Sequence, residues 1–81
     1  MATVLITGAN RGIGLEMARQ YAARGDEVIA VCRRSSPGLG AIDVDVFEGV
    51  DVTSGESLSQ LAAELHGRRI DRLLANAGVL E

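Results

Sequence analysis

The sequence predicts an α/β protein whose strands run parallel in a single sheet, and three observations predict it. Apolar stretches of strand length alternate along the 81 residues with stretches of helical periodicity. The first of them, Val4-Leu5-Ile6, has no polar alternation, as expected for a strand covered on both faces. Glycines at 8, 12 and 14 fall where that strand meets the first helix. Such alternation implies parallel strands joined by right-handed crossovers.

The elements follow in order. Thr3 to Thr7 reads as the first strand. A helix begins near Gly12, with Ile13, Met17 and Tyr21 spaced by four and Ala18 and Ala22 extending the same side. Gly25 is its stop, with Arg24 in the last turn to suit the helix dipole. Glu27 to Cys32 is rich in β-branched residues and reads as the second strand. Arg33 to Gly40 is loop, with a short helical turn after Pro37. Val44 to Val50 is a third, less cleanly patterned strand. The next helix is capped near Ser54 and buries Leu58, Leu61, Ala62 and Leu65, at i, i+3, i+4 and i+7. Gly67 ends it, and Arg68-Arg69 cap and solvate the turn. Ile70 to Ala75 is the fourth strand, followed by Asn76-Ala77-Gly78.

Composition narrows the function. One small domain is the most that 81 residues provide. At 47% hydrophobic the chain is too apolar for a disordered tail, and with Tyr21 and Phe47 as its aromatics the core must be aliphatic. Net charge is −3, and every basic residue is arginine, which argues against a nonspecific nucleic-acid partner. Cys32 is the single cysteine, so neither an intrachain disulfide nor a thiolate zinc cluster can form. Met1 and Ala2 leave no room for a signal peptide, and no apolar run approaches the roughly 20 residues a bilayer span needs. The expectation is a cytoplasmic protein with no membrane partner and no metal.

The chemistry lies in Thr7-Gly8-Ala9-Asn10-Arg11-Gly12-Ile13-Gly14. Gly8 lets the chain turn off the strand, Gly12 lets backbone approach phosphate oxygens, and Gly14 lets the helix pack closely on the sheet. The helix amino end adds unpaired N–H donors and partial positive charge. The spacing G-x-x-x-G-x-G is one residue longer between its first glycines than G-x-G-x-x-G. The chain contains no lysine, which excludes an NTPase phosphate loop. Where strand two ends, an acidic residue would bind ribose hydroxyls. The position is Cys32, and Arg33 and Arg34 follow, which suits a 2′-phosphate. Arg11 could approach the same phosphate. NADP(H) is therefore expected over NAD(H).

On these motifs the whole chain resembles the amino-terminal half of a short-chain dehydrogenase/reductase. Residues 7–14 resemble that family's coenzyme loop, and Asp51-Val52 the acidic pair after strand three that contacts adenine. Asn76-Ala77-Gly78 resembles the Asn-Asn-Ala-Gly turn near the inner ribose, with Ala75 replacing its first residue. Leu5-Ile6-Thr7 and Gly14-Leu15-Glu16 are similar to carbonyl-reductase-like and C-signal-like members. The resemblance implies a partial Rossmann domain over residues 1–81, strand order 3-2-1-4, truncated after strand four with the catalytic half absent. It implies a coenzyme site of Gly8, Asn10, Arg11, Gly12, Ile13, Gly14, Arg33, Arg34, Asp51, Val52, Asn76, Ala77 and Gly78. The full-length parent would move hydride between a nicotinamide and a carbonyl or alcohol substrate. The family's reaction needs a tyrosine followed four residues later by a lysine. Gly25 stands four after Tyr21, so no catalytic residue is expected here. The alternative is a non-catalytic nucleotide-binding or signalling module. Tyr21, His66 and Cys32 read as structural residues. The open apolar edge of strand four is expected to promote self-association.

Overall fold

A computed structural model describes residues 2–51 and 53–76. Seven elements follow in sequence: β1 (Thr3–Thr7), α1 (Gly12–Ala23), β2 (Glu27–Val31), α2 (Pro37–Gly40), β3 (Asp45–Phe47), α3 (Gly55–Glu64) and β4 (Arg72–Ala75). The four strands form one sheet in the order β3-β2-β1-β4, with every adjacent pair parallel. The predicted fold class and strand order are both present.

Register places the site. Thr7 pairs with Val31 on one side and Ala75 on the other, and Val31 pairs with Phe47. All four strands therefore finish level with one another. The segments after them open at one end of the sheet, and strand order reverses direction beside β1. In open α/β sheets that crevice is where ligands bind.

The alternation of β1 and β2 divides the core. Val4, Ile6, Val28, Ala30 and Cys32 face one side with Ala18 of α1 and Leu39 of α2. Leu5, Ile29 and Val31 face the other, with Val50 and with Leu61 of α3. Both faces are covered, which explains the unbroken apolar runs.

Several expectations need correction. Ile13 is 72% exposed rather than buried. The buried stripe of α1 runs through Gly14 and Ala18, and Ile13, at the second helical position, lies off it. On α3, Leu61 is buried, whereas Leu58 is 44% exposed and Ala62 is exposed. No described element covers that side of the helix. The third strand spans Asp45–Phe47 rather than 44–50, because Gly49 at φ +76° turns the chain out of the ladder. The second strand stops at Val31 and the fourth starts at Arg72. Arg68 does not solvate the turn after α3. Its guanidinium bonds the carboxylates of Glu27 and Asp45, joining the starts of β2 and β3 at the end of the sheet opposite the crevice. The Arg69 side chain stays 88% exposed, as expected, while also pairing with Asp71.

Local choices agree with the elements. Ser36 and Ser54 accept hydrogen bonds from Leu39 N and Ser57 N, capping α2 and α3. Tyr21 packs against the first core cluster, with the Arg24 guanidinium 5.4 Å from its ring centre. Among the described residues no helix is long and apolar enough to cross a membrane, and no cluster of side chains could hold a metal ion.

Candidate coenzyme site

The turn after β1 is built around small residues. Gly8 and Gly12 adopt φ of +65° and +62°, a region that side chains disfavour. Gly8 N donates to Val31 O at 2.9 Å, which fastens the start of the turn to the end of β2. A Cβ at Gly12 would meet no described atom within 4 Å, so the backbone there is open to an incoming group. A Cβ at Gly14 would lie 2.2 Å from Gly8 O and 2.5 Å from Asn76 Nδ2. The two glycines differ: Gly14 is held in close packing, whereas Gly12 is not.

The amino end of α1 differs from that of α3. Ser54 caps α3 with its side chain, and Glu56 sits in its first turn. Arg11 caps α1 with no side-chain hydrogen bond, and the first turn of α1 has no acidic residue. Among the described residues, no side chain caps the first-turn amides or offsets the dipole of this 12-residue helix. Arg11 and Ile13 are exposed beside them, and Asn10 is half-buried.

Next to this turn lies the segment after β2. Cys32 is 4% exposed, within the first core cluster. Its thiol is pushed above its ordinary pKa by burial, with a further push from the Glu48 carboxylate. This position cannot present a polar group to a ribose; the exposed residues are Arg33 and Arg34. Arg33 Nη2 stands 3.8 Å from Asp51 Oδ2. Asp51 Oδ1 accepts from Thr53 Oγ1 at 2.6 Å and Thr53 N at 2.9 Å. These bonds, with Arg33 contributing less, hold the Asp51 carboxyl below the usual carboxylate range. It is ionised at neutral pH.

Asn76 closes the other side. Its N–H donates to Thr7 Oγ1 at 2.9 Å, and its Nδ2 donates to Gly8 O at 3.4 Å. It thereby ties the end of β4 to the glycine turn. Val52, Ala77 and Gly78 lie outside the described residues. Sequence reasoning missed two residues here. Thr7 is the hydroxyl that anchors Asn76, and Glu48 accepts from Ser35 N at 2.6 Å. A polar residue one step beyond a strand end, level with the glycine turn, was the available signal for Glu48.

A family model described as short chain dehydrogenase matches residues 2–81. The chain belongs to that family. It is 44% identical over 82 residues to a 1-hydroxy-2-glutathionyl-2-methyl-3-butene dehydrogenase of Rhodococcus sp. (strain AD45), covering 99% of this chain and 36% of that one. Among solved structures, a short-chain dehydrogenase/reductase of Burkholderia multivorans with bound NADP superposes with a TM-score of 0.85 at 35% identity, over 95% of this chain and 36% of that one. A 4-hydroxyisoleucine dehydrogenase complexed with NADH shares the fold, with a TM-score of 0.85 at 24% identity, over 100% of this chain and 35% of that one. The chain thus spans about a third of the length of these relatives. Members of the family are nicotinamide-dependent oxidoreductases, and the Burkholderia multivorans relative carries NADP.

Proposed function

We propose that this chain is the coenzyme-binding portion of an NADP(H)-dependent oxidoreductase acting on a carbonyl or alcohol. The observation that carries the reading is the amino end of α1, which makes no side-chain cap hydrogen bond among the described residues and lies with two positive-φ glycines at the crevice beside β1. Gly8, Asn10, Arg11, Gly12, Ile13 and Gly14 take the diphosphate and its ribose. Arg33 and Arg34 take the 2′-phosphate. Asp51 and Val52 take the adenine, and Asn76, Ala77 and Gly78 the inner ribose. The bound coenzyme supplies hydride; this chain's residues bind and orient it.

The proton relay is not in this chain. It has no lysine, and Tyr21 packs on the α1 side of the core. These residues favour a second reading, a nucleotide-binding module without chemistry. An NADPH oxidation assay over a panel of ketones discriminates: the coenzyme-binding reading expects turnover when the carboxyl-terminal part of a relative is supplied, and the module reading expects none.

The direct test is calorimetric titration of NADPH and NADH against the chain and its Arg33→Ala variant. A charge-assisted hydrogen bond is worth about 1.5–3 kcal/mol. Loss of Arg33 should therefore weaken NADPH by about tenfold or more while leaving NADH within about twofold. Unchanged preference refutes the arginine assignment.

A further inference from the structure

The loop after β2 is fastened to the segment after β3 by a row of contacts. Val50 N donates to Cys32 O at 3.1 Å, and Gly49 N donates to Arg33 O at 3.0 Å. Arg33 reaches toward Asp51 at 3.8 Å. The remaining contact is different in kind: Ser35 N donates to Glu48 Oε2 at 2.6 Å. It sets an exposed carboxylate on a backbone N–H that directly follows two exposed arginines. Glu48 also raises the pKa of the Cys32 thiol, so its charge is felt at both ends of the 32–35 stretch.

A free N–H beside guanidinium groups is an arrangement that takes anions. Here the chain's own carboxylate holds that N–H. We propose that Glu48 is a coenzyme-selectivity residue, whose carboxylate competes with the 2′-phosphate for Ser35 N–H and repels its charge. This rests on the assignment of Arg33 and Arg34 to the 2′-phosphate. Its consequence is specific. Glu48 narrows the gap between phosphorylated and unphosphorylated adenosine that the two arginines open. A 2′-phosphate bearing nearly two negative charges feels a neighbouring carboxylate, and an uncharged 2′-hydroxyl does not.

The test uses two probes that differ by the 2′-phosphate alone, adenosine 2′,5′-bisphosphate and adenosine 5′-monophosphate. Each is titrated calorimetrically against the chain, Glu48→Gln and Glu48→Ala at low ionic strength. Glutamine keeps an acceptor for Ser35 N and removes the charge; alanine removes both. Both variants should bind the bisphosphate about three- to tenfold more tightly, with the monophosphate within about twofold and the difference shrinking as salt is added. If the wild type binds both probes and either variant changes them equally or not at all, Glu48 merely braces the loop. The selectivity proposal is then overturned, while the coenzyme reading stands. If the wild type binds neither probe, the coenzyme reading fails and takes this proposal with it.

Discussion

Replacing Gly14 with alanine tests the packing that shapes the turn. The added Cβ would stand 2.2 Å from Gly8 O and 2.5 Å from Asn76 Nδ2, where carbon normally keeps about 3.5 Å from a non-bonded neighbour. Helix α1 must therefore move off β1 by roughly 1 Å or Gly8 must shift. Overpacking of this kind costs about 1–3 kcal/mol. The bond from Asn76 Nδ2 to Gly8 O is also lost, at about 0.5–1.5 kcal/mol. Alanine returns up to about 1 kcal/mol of helix propensity. The balance is a loss of about 1–3 kcal/mol, a drop of roughly 5–20 °C in melting temperature for a chain of this size. Urea denaturation followed by circular dichroism measures it. Gly55→Ala is the control, since a Cβ there meets no described atom within 4 Å and Gly55 has no positive φ. ADP should bind Gly14→Ala about tenfold more weakly, because the carbonyl that must move belongs to the turn itself. A Gly14→Ala chain as stable as the wild type, with unchanged ADP binding, would refute the reasoning.

Further outcomes are expected. Thr7→Val removes one of the two oxygens that receive Asn76 N–H, leaving Leu74 O at 3.0 Å, and urea melts should show a loss of about 0.5–1.5 kcal/mol. The Cys32 thiol titrates higher in the folded chain than in the unfolded one, so its contribution to stability is complete below the unfolded value, about 8.5, and is lost as pH rises through the folded value. Thermal melts between pH 7 and 10 should show a decline that is shallower in Cys32→Ala. The opposite sign holds for Asp51, whose folded pKa is lowered. Its contribution is present above about pH 4 and fades on acidification, so Asp51→Asn should flatten the acid limb of the stability curve. Leu73, on the sheet's edge strand β4, is 65% exposed. Sedimentation should find concentration-dependent association that Leu73→Lys reduces; a monomer at all concentrations contradicts this.

Much of the fold was legible because its signals are local. Unbroken apolar runs in β1 and β2 required a sheet covered on both faces, and Ser54 and Gly25 marked helix boundaries by their own chemistry. What periodicity could not supply was which neighbour each face meets. Ile13 and Leu58 lie at correct helical spacing, yet no apolar layer of the described structure lies beneath them. Cys32 ends an apolar run where a ribose-binding acid would stand, and the strand's alternation turns its side chain into the core, in keeping with its reading as a structural residue. The glycine turn was readable from spacing, since each glycine answers a backbone requirement. The Thr7–Asn76 and Ser35–Glu48 contacts were not, because they join residues 69 and 13 positions apart through parallel pairing and the loops that extend it.

The account rests on the bare first turn of α1, and amide NMR of the 15N-labelled chain during ADP titration probes it most directly. The amide signals of Gly12, Ile13 and Gly14 should shift together and saturate on one binding curve. Saturable ADP binding that leaves those three signals in place, or no binding at millimolar ADP, would contradict it.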